Sequence, residues 1–299
     1  MLLRITHDTH YRYSPDVETA QHMAYLRPRD HASQQLQSFA LDITPGPSLC
    51  RAQTDVFGNT RHFFAIDMAH PELHVVARSV VRTQTPAAPE SRCTWEQAQT
   101  AFTYRGAQAT DPAAEFTFAS PFVPLQSAFA DYAAPSFVPG ARALDAALDL
   151  VQRMHHDFTY ESRSTEISTP AQQALAQRKG VCQDFAHIAV ACLRSMGLPA
   201  RYVSGYLLTQ PLPGQPRLVG ADASHAWASV YLPDLPEGQR WVDLDPTNNR
   251  WGWGSPGADY VTVALGRDFG DVSPLRGVIQ GGSRHVLSVG VTVEPVAED

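Results

Sequence analysis

Two short segments of alternating residues, joined by a turn, constrain the fold of this chain more than any other feature. In residues 223–232 small or apolar side chains fall on one face of a strand, and polar or aromatic ones, led by His225, fall on the other. Residues 240–245 alternate in the same way, and the intervening residues 233–238 are rich in proline and glycine. This pattern predicts a β-hairpin.

The register of this hairpin decides which carboxylate meets the histidine. If Leu232 faces Arg240, antiparallel pairing puts Asp245 close to His225. Asp243 shares the same face but lies two residues nearer the turn, so it is the alternative partner. We therefore predict that Asp245 orients His225.

A single cysteine opens the segment that reads most clearly as a helix. Apolar residues recur at helical spacing through 185–196, and Gly197 and Pro199 mark the helix end. Cys182 is thereby predicted in or next to the first turn, where unpaired N–H groups and the helix dipole favour a thiolate. The alternative is a small buried side chain, which suits Cys192 in the apolar stripe better.

Together these residues suggest nucleophilic catalysis. A thiol is a strong nucleophile as its thiolate, so it needs a base, and the base needs a group that fixes its tautomer. Cys182, His225 and Asp245 supply these parts in an arrangement that triads share across folds. We therefore expect cysteine-dependent acyl transfer.

The rest of the chain indicates an α+β protein. Residues 5–85 carry alternating segments, with a tight turn at Gly58-Asn59, and predict an N-terminal β-sandwich-like domain. Residues 86–90 read as a linker, and helical spacing follows in 95–103 and 141–156. The predicted division is a β-rich N-terminal domain over residues 1–88 and a catalytic core over residues 89–299 that includes a C-terminal strand.

Composition excludes several other classes. The chain has 299 residues, 43% hydrophobic and 18% charged, with a net charge of −7 and no basic run, which disfavours nucleic acid as a partner. The N-terminus is too polar for a signal peptide and no apolar run could span a membrane, so we expect a cytoplasmic protein with no membrane partner. The four cysteines show no zinc spacing, and we predict no cofactor and no metal.

Four segments of the chain are distinctive: Gly180-Val-Cys-Gln-Asp-Phe-Ala-His, Gly197-Leu-Pro-Ala-Arg-Tyr-Val-Ser-Gly-Tyr, Ser224-His-Ala-Trp and Trp241-Val-Asp-Leu-Asp-Pro-Thr-Asn-Asn. In this order they resemble the bacterial transglutaminase-like superfamily, and the resemblance covers about residues 152–251. The N-terminal segments 25–29 and 55–59 are similar to a domain that often precedes this core in bacteria.

The resemblance implies a papain-like core in which a Cys-bearing helix packs on an antiparallel sheet. Cys182 would be the nucleophile, His225 the general acid and base, and Asp245 the orienting group. Tyr160, Val181 and Trp227 are candidates for binding the oxyanion or the substrate, although Tyr160 and Trp227 could equally be core aromatics. No calcium-loop pattern is present, so calcium dependence is not implied.

These observations favour hydrolysis of a peptide or protein amide through a thioester. Transamidation by an amine acceptor is the first alternative, and a non-catalytic binding or scaffold module is an alternative of another class. A metal hydrolase built on His155, His156 and His187 is disfavoured, because no His-Glu-x-x-His spacing occurs. The breaker-rich residues 210–220 read as a surface loop, or less favourably as a lid over the site.

Overall fold

The computed structural model describes residues 1–85, 90–103, 106, 111–161, 169–209 and 224–297. Residues 86–89 of the predicted linker 86–90 and the whole predicted loop at 210–220 lie outside these residues. Six α-helices are described: α1 (Trp95–Ala101), α2 (Ser127–Ala133), α3 (Ala143–Asp157), α4 (Ala171–Gln177), α5 (Cys182–Ser195) and α6 (Phe269–Val272). The described strands are β1 (Leu2–Ala24), β2 (Gln34–Thr44), β3 (Leu49–Thr54), β4 (Thr60–Ile66), β5 (His70–Thr83), β6 (Thr159–Tyr160), β7 (Lys179–Gly180), β8 (Ala200–Leu207), β9 (Ser224–Tyr231), β10 (Trp241–Asp245), β11 (Arg250–Trp253), β12 (Tyr260–Gly266), β13 (Leu275–Gly281) and β14 (Arg284–Pro295).

The N-terminal region is one seven-stranded antiparallel sheet folded about its long strand β1. The first half of β1 pairs with β5 and β14, and its second half pairs with β4 and β13. Apolar side chains of both halves, such as Leu73 from one and Phe64 from the other, meet in one core. The predicted sandwich-like arrangement is therefore built from a single sheet that bends back on itself.

The second sheet has the strand order β11-β10-β9-β8-β12 and is antiparallel throughout. Helix α5 packs on one face of it, together with the apolar stripe of α3. This is the α+β core, a Cys-bearing helix on an antiparallel sheet, that the sequence predicts.

Side-chain amides from the N-terminal sheet close the outer edge of β12. Gln34 exchanges two hydrogen bonds with the backbone of Thr262, at 2.8 and 2.7 Å. Asn59 does the same with the backbone of Leu265, at 2.7 and 2.8 Å. Because an open strand edge is a template for unwanted pairing, these two amides act as substitutes for a sixth strand.

The N-terminal sheet also shares a hydrophobic core with the second sheet. Leu3 and Ile5 of β1 pack in one cluster with Tyr202 and Tyr206 of β8, and the half-buried Cys182 lies against this cluster. The N-terminal region therefore forms part of the surroundings of the cysteine.

One predicted assignment differs from the structure. The C-terminal strand was expected to complete the catalytic core, but β13 and β14 both pair with β1 in the N-terminal sheet. The chain thus returns to its first strand at its end, and residues 275–295 belong to the N-terminal sheet. Among the described residues no helix combines the length and the apolar character needed to cross a membrane.

Candidate active site

Helix α5 carries Cys182 as its first residue, as predicted. The helix is buried on nearly every side after its first turn, because it lies between the cluster under the second sheet and the cluster shared with the N-terminal sheet. A helix that is apolar all round belongs in a protein interior. Gly197 ends the helix with φ of +77°, a conformation that suits glycine. Cys182 is therefore held on a rigid element.

The residues before Cys182 are fixed by the carboxylate of Asp184. The backbone N–H of Val181 donates to this carboxylate at 2.8 Å. A Cβ at Gly180 would lie 2.7 Å from the same carboxylate, so this position needs glycine to make room for Asp184. The N–H of Val181 is already hydrogen-bonded to Asp184, so it is not free to donate to an oxyanion. For this N–H group the prediction that Val181 binds the oxyanion is wrong. The N–H groups of Cys182 and Gln183 follow in the first turn, where helix geometry provides no intrahelical partner.

The hairpin of β9 and β10 has the predicted register. Leu232 donates its N–H to the carbonyl of Arg240 at 2.7 Å, and Asp243 pairs with Ser229. This register brings Asp245 to the end of β9 that carries His225. His225 Nε2 lies 2.8 Å from Asp245 Oδ2, so Asp245 is the histidine's partner and Asp243 is not.

Asp245 is fully buried yet strongly hydrogen-bonded. Its Oδ2 accepts from the hydroxyl of Tyr260 and from the side-chain amide of Asn248, both at 2.7 Å, as well as from His225. Its Oδ1 accepts from the backbone N–H of Thr247 at 2.8 Å. A buried carboxylate with several donors stays ionised. Burial alone raises the pKa of Asp245, but these bonds, led by that from His225, hold it below its usual value.

His225 is the acid-base centre of the site. Its ring is 8% exposed, and burial on its own lowers its pKa. The hydrogen bonds to Asp245 and Cys182 and the negative charges of these two partners outweigh burial and raise the pKa to about 10. Because Nε2 is bound to Asp245, Nδ1 is the nitrogen left for the thiol. The imidazolium is thus favoured at neutral pH next to the sulfur.

Trp227 does not reach a substrate. Its ring is completely buried and packs with Val203, Tyr260 and Leu265 on the face of the second sheet away from α5. A Cβ at Gly205 would come within 2.5 Å of this ring, so the glycine makes space for it. The prediction that Trp227 contacts a substrate is therefore wrong. Alternation correctly places Trp227 on the same face of β9 as His225, but on that face the Trp227 ring is buried in the core.

Tyr160 lies beside the start of the cysteine helix. It pairs with Gly180 in the parallel pair β6 and β7, and its side chain is 54% exposed. Its ring is 6.4 Å from that of Phe185 in an edge-on arrangement. Tyr160 is therefore a largely exposed residue on a strand that pairs with the segment leading into Cys182, and its role as an oxyanion donor or substrate contact stays a prediction.

Two further residues of the site were not predicted. Asn248 belongs to a segment that the resemblance already quoted, although no role followed from it. Tyr260 begins β12, and its ring lies 5.9 Å from that of His225 and 5.4 Å from that of Trp227. The alternation in residues 260–265 could have identified a strand, but not the long reach of the hydroxyl across the sheet.

Within the described residues, no group of three or more His, Cys, Asp and Glu side chains is arranged to hold a metal ion. The arrangement that is present can do acid-base and nucleophilic chemistry. It consists of a half-buried thiol at a helix start, a histidine hydrogen-bonded to it, and an ionised carboxylate behind the histidine.

The comparisons with known proteins define the class. Residues 131–246 match the family described as the transglutaminase-like superfamily, and residues 3–82 match the bacterial transglutaminase-like N-terminal region. The chain belongs to this superfamily. Membership supports cysteine-based catalysis in general.

Individual relatives differ in how much of this chain they match. The uncharacterized protein Rv2569c of Mycobacterium tuberculosis (strain H37Rv) is 40% identical over 99% of this chain and 93% of its own length. The protein-glutamine gamma-glutamyltransferase of Pseudomonas aeruginosa is 33% identical over 36% of this chain and 16% of its own length. A solved structure, of a presumed cysteine protease from Cytophaga hutchinsonii, covers 100% of this chain and 92% of that one with a TM-score of 0.74 and 20% identity, and thus has the same fold.

Proposed function

We propose that this protein is a cysteine-dependent acyl-transfer enzyme that acts on an amide carbonyl, with Cys182 as nucleophile, His225 as general acid and base, and Asp245 as the group that orients His225. The observation that carries the proposal is the 2.8 Å contact of His225 Nε2 with Asp245 Oδ2, together with the effect of Cys182, which like Asp245 raises the pKa of His225. The substrate class is a peptide or protein amide.

The first half-reaction forms a thioester. The Cys182 thiolate attacks the amide carbonyl carbon, and the carbonyl π electrons move to the oxygen. The N–H groups of Cys182 and Gln183, and the hydroxyl of Tyr160, are the donors that would stabilise this oxyanion. When the tetrahedral intermediate collapses, the C–N bond breaks and the His225 imidazolium gives its proton to the departing amine.

The second half-reaction releases the acyl group. Neutral His225 takes a proton from water, the resulting hydroxide attacks the thioester carbonyl, and the C–S bond breaks. The products are a carboxylic acid and the regenerated thiolate beside imidazolium. Hydrolysis is our first proposal, because water needs only access to the thioester, whereas an amine acceptor needs a second binding site next to it.

A cysteine-labelling experiment tests the proposal. Iodoacetamide at neutral pH should alkylate Cys182 fastest in wild type, as measured by peptide mass spectrometry over time, and Cys182→Ala should remove this label and all turnover of amide substrates. Cys50 is the other described cysteine with an exposed side chain, so Cys50→Ala is the matched control and should leave both unchanged.

A histidine variant separates catalysis from simple accessibility. His225→Ala should slow the alkylation of Cys182 to the rate of Cys50, because the imidazolium no longer favours the thiolate. If Cys182 reacted no faster than Cys50 in wild type, the protein would be better described as a binding module of this fold.

Transamidation is the second candidate. It is favoured by the similarity of this chain to part of the P. aeruginosa protein-glutamine gamma-glutamyltransferase. A glutamine-containing peptide supplied with and without a fluorescent primary amine distinguishes the two. Free acid in the presence of millimolar amine indicates hydrolysis, and incorporation of the amine that exceeds acid formation indicates transamidation.

A further inference from the structure

A cavity with both polar and apolar lining residues lies on the face of the second sheet that is turned away from helix α5. It has a volume of about 230 Å³ and is formed where Arg29 and His31 of the N-terminal region meet β8, β10 and β12. It continues into a wider groove of about 490 Å³ that shares Arg201 and Trp241 with it. The cavity therefore has a route to solvent.

The charges at this cavity are of both signs. Arg29 and Arg201 contribute guanidinium groups, and Asp243 contributes a carboxylate that is 2% exposed. The guanidinium carbon of Arg201 lies 4.0 Å from the centre of the Trp241 ring, which holds the side chain flat against the wall. Burial lowers the pKa of Arg201 to about 9, and the charge of Asp243 opposes this fall, so the two groups sense each other.

Several of the lining groups have hydrogen-bonding capacity that other described residues do not use. Burying a polar atom without a partner costs about 1–3 kcal/mol, so such atoms are rarely grouped. Here the atoms without a partner in the described part of the chain are Arg201 Nε, Asp243 Oδ1, His31 Nε2, Trp253 Nε1 and Thr262 Oγ1. Uncompensated donors and an acceptor are thus grouped around the cavity.

His31 does not add a charge to this set. Its ring is bound to Ser33, and burial, with the nearby Arg29 and Arg201, lowers its pKa to about 4. The charged groups of the lining are therefore Arg29, Arg201 and Asp243, and of these Arg29 already donates from Nη1 to the carbonyl of Phe57 at 3.0 Å and to Asn59 Oδ1 at 2.8 Å.

We propose that this cavity binds a free α-amino acid, with the carboxylate of the ligand on Arg201 and Arg29 and its ammonium group on Asp243. A lone anion would leave Asp243 without a partner in the ligand, and a lone amine would leave Arg201 without one, whereas a zwitterion satisfies both. Size agrees, since an apolar cavity of ~150 Å³ holds benzene and this one is larger by half, enough for roughly ten non-hydrogen atoms.

The site is separate from the candidate active site. Trp227 and Tyr260, both buried, fill the sheet face next to His225, and neither His225 nor Asp245 lines the cavity. Binding should therefore be independent of Cys182, and the inference does not rest on the proposed function.

The test measures ligand binding by the full-length Cys182→Ala protein, so that no turnover intervenes. Trp241 and Trp253 line the cavity, so intrinsic fluorescence reports on it, and thermal unfolding gives a second readout. Glycine, alanine, glutamine and glutamate are titrated against propionate, ethylamine and inorganic phosphate. We expect at least one amino acid to saturate the fluorescence change and raise Tm, with dissociation constants at least 10-fold lower than those of propionate and ethylamine.

Variants assign the binding to the cavity. Asp243→Asn should weaken amino acid binding at least 10-fold, while Arg78→Gln, which breaks an exposed ion pair with Asp42 on the N-terminal sheet, should not change it. Should Arg201→Gln fail to fold, Trp253→Phe removes one cavity donor and keeps the ring. The proposal is overturned if phosphate or propionate binds as tightly as every amino acid and ignores Asp243→Asn, or if no ligand in the panel produces a saturable change.

Discussion

Asp243 and Asp245 lie two residues apart on the same face of β10, both buried, and they behave in opposite ways. Asp245 accepts hydrogen bonds from His225, Tyr260, Asn248 and Thr247, and its pKa is lowered. Asp243 has an oxygen with no partner among the described residues, and burial raises its pKa, with Arg201 acting against that rise.

The difference shows that burial does not decide the charge state of a carboxylate in this protein. The charge state depends on the hydrogen-bond donors that reach the carboxylate. Removing a carboxylate from water penalises its charged form in both positions, but only at Asp245 do the surrounding donors outweigh this penalty. At Asp243 the charge of Arg201 and the side chains of Ser229 and Trp227 lower the pKa by less than burial raises it. Asp245 is therefore suited to holding a permanent negative charge behind His225. Asp243 is suited to pairing with the ammonium group of a ligand that enters the cavity.

The largest expected effect comes from Asp245→Asn. Thr247 would keep the amide oxygen at the Oδ1 position, so the amide nitrogen would replace Oδ2 and point an N–H at His225 Nε2. The ring would then carry its proton on Nδ1, facing Cys182, which is the wrong tautomer for a base. We expect kcat to fall roughly 10³-fold, measured with any amide substrate that the wild type turns over.

Asp145→Asn provides the control for this variant. Asp145 pairs with Arg142 at an exposed position at the start of α3, so its loss should leave kcat unchanged. A fall of less than threefold for Asp245→Asn would show that the hydrogen bond to His225 does not set its tautomer.

The pH dependence of the reaction gives the second prediction. The pKa of His225 is raised to about 10, so its proton is present throughout the neutral range and is lost as pH rises through that value. The departing amine needs the proton of the His225 imidazolium, so kcat/KM should have an alkaline limb near 10. In Asp245→Asn, the lowering of the pKa of His225 by burial is opposed only by Cys182. The pKa of His225, and with it the alkaline limb, should therefore move to lower pH. An alkaline limb at the same pH in both proteins would contradict this.

The parts of the site that could be predicted are local in sequence. The register between Asp245 and His225 follows from one turn between two alternating segments, and the position of Cys182 follows from the apolar spacing of the helix that it begins. Tyr260 could not be predicted in the same way, because it reaches Asp245 across the curled sheet from a strand that pairs with β8 rather than with β10.

The fold shows the same limit. The strands of the N-terminal sheet were predictable as strands, but the pairing of β13 and β14 with β1 joins residues more than 250 positions apart, and no local pattern specifies such a partner. The roles of Gln34 and Asn59 at the edge of β12 were likewise hidden, since both read as ordinary polar residues near turns.

Tyr260→Phe should reduce activity less than Asp245→Asn does. It removes one of the donors to Asp245 and leaves the ring packed on Trp227. We expect about a 10-fold loss of kcat/KM, an alkaline limb at lower pH, and a decrease of about 1 kcal/mol in the free energy of unfolding. The matched control is Tyr206→Phe, which loses a buried hydroxyl bound to His7 at 2.9 Å. It should cost similar stability without shifting the pH profile, and a shift in both variants would point to a general loosening of the core.

The smallest effect is expected from Asp243→Asn, and its sign is opposite to that of Asp245→Asn. The pKa of Asp243 is higher in the folded chain than in the unfolded chain, so its charged form destabilises the fold above the folded pKa, and this penalty disappears below the unfolded value near 3.8. The amide has no charge to bury, so Asp243→Asn should raise the free energy of unfolding at pH 7 by about 1.4 kcal/mol for each unit by which the pKa is raised, with no gain near pH 3.

Denaturant unfolding of Asp243→Asn and Asp245→Asn at both pH values makes the comparison quantitative. Asp245 has a lowered pKa, so its contribution is present above the unfolded value and is lost as pH falls through the folded one. Asp245→Asn should therefore lose stability at pH 7 and lose less of it in acid. If Asp243→Asn also lost stability at pH 7 and lost less of it in acid, both carboxylates would be held by donors. The contrast in charge state between the two ends of β10 would then be wrong.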